Sequence, residues 1–145
     1  MRTEKSLVRT KKVRGTTLVE TLVALLVLSI GLLGVAGMQM SSLQNNRGAH
    51  LRSQAQVLAY DIADRMRANR TVALAGGYKI ALGATVANTG TIATIDLSDW
   101  KGSLATTLPA GDGAVDLIVG DPLAVITVSW KDSIGTQTFT TRTRI

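Results

Sequence analysis

The sequence contains no cysteine and a single histidine, His50. The absence of cysteine excludes disulfide bonds, thiolate metal ligands and cysteine nucleophiles. Hydrolytic and metal-dependent chemistries usually draw on several histidine or cysteine side chains, and the chain also lacks a phosphate-binding loop, an HExxH pair and a nucleophile elbow. We therefore predict a protein that is not an enzyme and holds no metal and no cofactor. We expect His50 to be solvated.

Aromatic residues are also scarce, and excess basic charge is confined to one short segment. The chain has two Trp, two Tyr and one Phe, and its net charge is +6. Six basic residues and one acidic residue fall within residues 1–15, which leaves a net charge of only +1 for the rest of the chain. Nucleic-acid binding needs a basic face on a folded body, often with interleaved aromatics. The sequence therefore predicts no nucleic-acid partner.

Proline is absent before Pro109, and ionisable side chains are absent from residues 21–46. Residues 22–40 are almost wholly apolar, and about 20 such residues in a helix cross the roughly 30 Å hydrocarbon core of a bilayer. The basic segment precedes this run, so the positive-inside rule predicts a cytoplasmic N-terminus and an exported C-terminal body. We predict one long helix over about residues 17–69.

The second half of the predicted helix is amphipathic. Its apolar residues recur at steps of three and four, which marks one face of a helix that must be covered. Arg65, Arg67 and Arg70 cluster near its C-terminal end, where cations complement the helix dipole. The apolar stripe consists of Leu51, Ala55, Leu58, Ile62 and Met66.

Glu20 stands at the start of the apolar run, where a carboxylate is costly and usually has a partner. No lysine or arginine lies one helical turn to its C-terminal side. If the chain is cut after Gly15, Thr16 gains a free α-amino group about one helical turn before Glu20. The carboxylate then pairs with this amine, in its own chain or in a neighbouring one. The alternative is an interfacial glutamate that only reaches the lipid headgroups.

Three glycines, Gly31, Gly34 and Gly37, interrupt the apolar run at a spacing of three. Each costs about 1 kcal/mol of helix propensity relative to alanine in water. We predict a soft point in the helix or a close-packing face against other helices. Ordinary tolerance of glycine in membrane helices explains the same pattern.

Residues 71–145 are rich in turn signals and alternating patterns. Alternation predicts strands at 123–130 and 137–145, and Val115, Leu117 and Val119 form the inner row of a third strand in an antiparallel meander. Weaker patterns at 78–95 predict one or two irregular strands. Asp112, Asp116 and Asp121 are interpreted as turn residues rather than calcium ligands.

A short helix is predicted between these weak strands and the meander. Ser98 is its predicted N-cap, and it ends before Pro109. Trp100 and Trp130 are expected to be core anchors rather than ligand platforms. The predicted fold class is α+β: a long N-terminal helix, transmembrane in its first half and amphipathic in its second, packed on a small antiparallel sheet like the handle of a ladle.

Residues 11–20 and the apolar run after them resemble the class III signal of type IV pilins and pseudopilins. The shared features are a basic leader, Gly15, a carboxylate at Glu20 five residues later, and a long apolar run. The resemblance implies that a prepilin peptidase cuts after Gly15 and N-methylates Thr16, and that Glu20 guides docking into a filament. The family usually has phenylalanine where this chain has Thr16.

Later segments resemble the PilV-type minor pilins, the pilus modification proteins. The resemblance implies a minor pilin that helps to initiate type IV pilus assembly and supports twitching motility and adhesion. It implies as partners a prepilin peptidase, other minor pilins, the major pilin and the inner-membrane assembly platform. The similar segments are 55–61, 64–70, 100–104, 108–111 and 125–130.

The implied organisation is a leader at 1–15, a transmembrane and assembly helix at 16–40, its amphipathic continuation at 41–70 and a β-rich periplasmic or extracellular head at 71–145. The precursor is expected as a single-pass inner-membrane protein and the mature form in the pilus at the cell surface. Two alternatives stay open. One is a minor pseudopilin of a type II secretion system, and the other is a membrane-anchored protein whose exported head binds a partner.

Overall fold

A computed structural model describes residues 17–87 and 89–145. The predicted cleavage and methylation positions, Gly15 and Thr16, lie outside the described residues. The elements follow in the order α1 (Leu18–Ala68), α2 (Arg70–Leu74), α3 (Ile92–Thr107), β1 (Asp112–Leu117), β2 (Leu123–Asp132) and β3 (Gly135–Arg144). Helices thus precede an antiparallel sheet, which confirms the α+β class and the long N-terminal helix predicted from the sequence.

The described chain divides into two compact units, one that ends at Ser41 and one that spans Ser42–Ile145. The described part of the first unit is helical from Leu18 onward, without a break, and none of its side chains is buried. Its glycines, Gly31, Gly34 and Gly37, are helical, and a methyl group added at any of them would meet no neighbouring atom within 4 Å.

The second unit contains the three-stranded meander, in the order β1-β2-β3. The strands pair antiparallel, with Val115 opposite Ile126 and Ile126 opposite Thr141. Alternate residues of β2 are buried, namely Ala124, Ile126, Val128 and Trp130. The period-two apolar pattern therefore sets both the strand and the face that meets the core.

One hydrophobic core joins α1, α3 and the inner face of the sheet. Of the predicted stripe on α1, four residues are buried and Leu58 is partly buried. Ala59 and Ala63 are fully buried as well. Such small side chains give little hydrophobic signal in a sequence, although they allow neighbouring backbones to come close.

The start of α3 differs from the sequence prediction, which placed the N-cap at Ser98. The helix begins at Ile92, and the N-cap is Thr91, whose hydroxyl accepts a hydrogen bond from the Thr94 amide. Buried Ala93 and Leu97 continue the apolar spacing of Trp100 for two turns toward the N-terminus. The predicted end before Pro109 is confirmed, since α3 ends at Thr107.

Two further expectations in this unit are wrong. Strand β1 ends at Leu117, so Val119 lies in the following turn with 73% of its surface exposed instead of in an inner row. The described residues between 78 and 91 form no strand, only a single bridge between Ile80 and Val115. A bridge of one residue pair is too short to leave an alternating pattern in the sequence.

Candidate functional site

The first turn of α1 holds the carboxylate singled out from the sequence. Thr17 precedes the helix, and its hydroxyl oxygen accepts a 3.4 Å hydrogen bond from the Glu20 amide. The Thr-x-x-Glu spacing is that of a capping box, and an anion in the first turn complements the positive end of the helix dipole. Glu20 is exposed, and within the described residues no ion pair involves it. Its carboxylate is free to meet a cation.

The apolar surface of α1 follows directly after this turn. In the part of the chain that the structure describes, α1 is the one helix long and apolar enough to cross a membrane, and none of its apolar segment is buried. An apolar surface of this extent is normally covered by lipid or by another protein. The exposed large residues include Leu22, Leu26, Ile30, Leu33, Met38 and Met40.

The arginines at the end of α1 and the start of α2 do more than complement the helix dipole. The Arg67 guanidinium donates through Nε to the Arg144 carbonyl oxygen at 3.0 Å and also bonds the Thr143 hydroxyl. The Arg70 Nε donates to the Ile145 carbonyl oxygen at 3.0 Å. These contacts fasten the last strand to the helix end in a chain that has no cysteine to do so. The sequence pattern did not reveal this, because the partners lie more than 70 residues apart.

A buried tyrosine connects three segments of the second unit, Ser42–Ile145, which is called the head from here on. The Tyr78 hydroxyl donates to Asp96 Oδ2 at 2.6 Å and accepts from Asn69 Nδ2 at 3.2 Å, while Arg65 Nη1 lies 3.3 Å from Asp96 Oδ1. Burial and the adjacent Asp96 carboxylate raise the pKa of Tyr78 to about 12. The phenol therefore stays protonated and continues to donate through the neutral pH range.

Lys101 on α3 holds the irregular segment before it. Its ammonium lies 2.9 Å from Asp112 Oδ1 and donates to the Ala84 carbonyl oxygen at 2.6 Å. The Gly83 amide donates to the second carboxylate oxygen of Asp112. Burial alone would raise the pKa of Asp112, but the Gly83 amide and the Lys101 ammonium outweigh it and lower that pKa.

The other aspartates singled out from the sequence are also accounted for. Asp112 and Asp116 lie in β1 and not in turns as predicted, and the Asp116 carboxylate pairs with Lys79 at 2.9 Å. Asp121 follows β1 and accepts a hydrogen bond from the Leu123 amide within its turn. The described residues contain no group of three or more His, Cys, Asp or Glu side chains arranged to hold a metal ion. His50 is exposed, as predicted.

The two tryptophans are both buried but differ at their polar atoms. Trp100 Nε1 donates to the Leu58 carbonyl oxygen at 2.8 Å, which ties α3 to α1. Trp130 is 4% exposed, and its Nε1 has no acceptor in the structure. Trp130 also lines a cleft of about 340 Å³ between α1 and the β2–β3 hairpin. The core-anchor prediction is confirmed for both, and the unpaired indole was not predicted.

A family model described as the Prokaryotic N-terminal methylation motif matches residues 10–36. The match spans Gly15, Thr16 and Glu20, and indicates a prepilin-like substrate of prepilin peptidase, which is a pilin or a pseudopilin. This motif is typical of structural subunits rather than enzymes, and together with the apolar helix it fits an inner-membrane anchor. Comparison with curated proteins and with solved structures finds no match.

Proposed function

We propose that this chain is a PilV-type minor pilin of a type IV pilus. In this proposal a prepilin peptidase cuts between Gly15 and Thr16 and methylates the new α-amino group of Thr16. The methylation-motif match over residues 10–36, together with a helix whose apolar surface is unburied from its first turn onward, supports the pilin-type part of the proposal. The PilV assignment rests on the resemblance of the later segments.

The proposed assembly step moves one apolar surface between two environments. Lipid covers residues 18–40 while the subunit waits in the inner membrane, and apolar helices of neighbouring subunits cover the same surface in the filament. Glu20 has no cation partner in the described chain, so an α-amino group of a neighbour's Thr16 matches what it lacks. Gly31, Gly34 and Gly37 add little helix propensity there and serve as the soft point of the helix.

The proposed role follows the PilV-like segments of the head. With other minor pilins, and on the inner-membrane assembly platform, the chain initiates a fibre that the major pilin then extends. Its head lies in the periplasm before assembly and at the cell surface afterwards, where it supports twitching motility and adhesion. Two residues of those segments make contacts that stabilise the head: Trp100 donates to the Leu58 carbonyl oxygen, and Lys101 binds Asp112 and the Ala84 carbonyl oxygen.

The mature N-terminus provides the direct test of processing. We expect mass spectrometry of the protein from cells with an active prepilin peptidase to show a chain that begins at Thr16, with one added methyl group. In cells that lack the peptidase the leader stays attached. A chain that retains Met1 in both strains contradicts the proposal.

Glu20→Gln tests the docking step, because it removes the charge and keeps the shape. We expect the variant to be cleaved normally but to enter sheared pili at least about tenfold less than the parent, a loss of one strong charge-assisted contact. Gln39→Ala changes a polar residue farther along the same exposed helix and should enter pili normally. Equal incorporation of Glu20→Gln and the parent would show that this carboxylate does not guide docking.

Deletion of the coding sequence separates the pilus from a secretion system. We expect loss of surface pili and of twitching with exoprotein secretion intact. Loss of exoprotein secretion with normal pili would instead identify a minor pseudopilin.

A further inference from the structure

The two edge strands of the sheet, β1 and β3, differ in how far other backbone covers their outer edges. The outer edge of β1 is partly covered, since Ile80 and Val115 exchange two backbone hydrogen bonds of 2.9 Å and Lys79 pairs with Asp116 beside them. The outer edge of β3 has no such cover among the described residues. A long uncovered edge strand offers its unpaired backbone groups to any extended chain that approaches it.

The hairpin geometry shows which backbone groups of β3 are free. Asp132 pairs with Gly135 across a two-residue loop, and alternation from that hydrogen-bonded pair directs the amides and carbonyls of every second residue away from β2. The Arg144 carbonyl oxygen belongs to this outward set and accepts a hydrogen bond from Arg67 Nε. In the described chain no backbone partner outside the sheet contacts the others, namely Thr136, Thr138, Thr140 and Arg142.

The cleft beside Trp130 opens next to the start of this edge. Gln137 and Thr138 of β3 line it together with Asn45, Gly48 and Arg52 of α1. The buried Trp130 Nε1 lacks an acceptor, which a buried donor rarely does without a reason. Asp132, the one acidic side chain of the hairpin, also lines the cleft, and its Oδ1 accepts hydrogen bonds from the amide and hydroxyl of Ser133.

The charges around the edge select the partner. Arg142 and Arg144 point to the solvent face of β3, Arg52 lines the cleft, and none of the three side chains has an acidic partner among the described residues. A second copy of β3 would bring a further pair of arginines to the same edge. An acidic strand would instead bring complementary charge.

We propose that the open edge of β3 is a docking site for an extended, acidic segment of a different protein, which adds a fourth strand to the sheet. Its backbone pairs with the outward groups of Thr136, Thr138 and Thr140, and its acidic side chains face Arg142. A side chain on its other face enters the cleft beside Trp130. This inference concerns the head and does not depend on the proposed function.

The test uses the full chain, labelled with ¹⁵N, in detergent micelles. The probe is a short capped peptide in which Asp alternates with Val and Asn, and the matched control peptide carries Asn in place of each Asp. The two indole N–H signals separate the tryptophans, because Trp100 already donates to Leu58. We expect the acidic peptide to shift the Trp130 indole signal and to slow hydrogen exchange at the Thr138 and Thr140 amides, with the Trp100 signal unchanged.

Three variants locate the site. Thr138→Pro removes one outward amide that β2 does not use and should abolish the response, whereas Thr138→Val keeps it. Arg142→Gln should weaken binding about threefold, and the same change at exposed Arg47, outside the cleft, should not. Equal binding of the two peptides, or a response that survives Thr138→Pro, overturns the proposal. So does concentration-dependent pairing of β3 between copies of the chain without peptide.

Discussion

A few polar side chains determine how the irregular parts of the head are held. Tyr78 joins the end of α1 to α3 through Asn69 and Asp96, and Lys101 binds the segment around residue 84. Each of these groups is at least partly buried, where a satisfied hydrogen bond counts for more and an orphaned one costs more. The strands and long helices follow from repeating patterns, but these single contacts do not repeat.

Tyr78 makes the head sensitive to alkali. Its pKa is raised to about 12, above the ordinary value of about 10, so the folded state holds the proton more tightly than the unfolded state. Its contribution is fully present below pH 10 and is lost as the pH rises from about 10 to 12. We expect denaturant titrations of the parent to show falling stability across this range, and Tyr78→Phe to lack that loss.

The same variant also has a cost at neutral pH. Tyr78→Phe leaves Asp96 and Asn69 without the hydroxyl, which should lower the free energy of unfolding by about 1–2 kcal/mol. Tyr60→Phe is the matched control, because Tyr60 is about half exposed and its hydroxyl accepts a long hydrogen bond of 3.4 Å from Gln56. If Tyr60→Phe removes the alkaline loss and Tyr78→Phe does not, Tyr78 is not its source.

At the scale of elements, α3 and β1 come together through a glycine. A Cβ at Gly113 would lie 2.7 Å from Leu104 Cδ1 and still closer to the Trp100 ring. Trp100 is fully buried and its indole is fixed by Leu58, so it cannot move aside cheaply. The absence of a side chain on β1 therefore sets the distance between this helix and the sheet.

Gly113→Ala should lower the free energy of unfolding by about 1–3 kcal/mol, the usual cost of overpacking a filled core. Gly102→Ala is the matched change on α3, where the added methyl group has nothing within 4 Å. It should stabilise the helix by up to about 1 kcal/mol. Urea titrations of the two variants measure both effects, and a neutral Gly113→Ala would mean that the contact is looser than the structure shows.

Periodicity explains which elements could be predicted. The bounds of α1 and the buried faces of β2 and β3 follow from steps of 3.6 and 2, and all three were predicted to within a few residues. The start of α3 was misplaced because Thr91 and Ser98 are both good N-caps, and only the burial of Ala93 and Leu97 decides between them. The bridge at Ile80 depends on a tertiary contact that no local pattern records.

At the scale of the whole molecule, the two units differ in whether a hydrophobic core stabilises them. The described residues before Ser42 bury no side chain, whereas those after it share one core. The candidate assembly residues could be predicted because Gly15, Thr16 and Glu20 lie close together in the chain and need no tertiary contact. The open edge of β3 could not be predicted from the sequence. It is open because the segment near Ile80 pairs with β1 at the opposite edge of the sheet, and that pairing is a tertiary contact.

Leucine-to-alanine changes on α1 should separate the two units. Leu33→Ala, at a side chain 74% exposed, should leave the unfolding of the head in detergent within about 0.5 kcal/mol of the parent. Leu51→Ala, at a side chain 7% exposed, should cost about 2 kcal/mol. Tryptophan fluorescence follows both unfolding transitions, and equal losses would contradict the independence of the head from the apolar segment.

The arginines beside the open edge of β3 also affect how readily copies of the purified chain associate with one another. We expect repulsion between the Arg142 and Arg144 side chains of two copies to oppose edge-to-edge stacking, and mobile ions shorten its reach to about 8 Å at physiological ionic strength. We therefore expect added sodium chloride to favour edge-to-edge association of this chain in detergent micelles, and low ionic strength to oppose it.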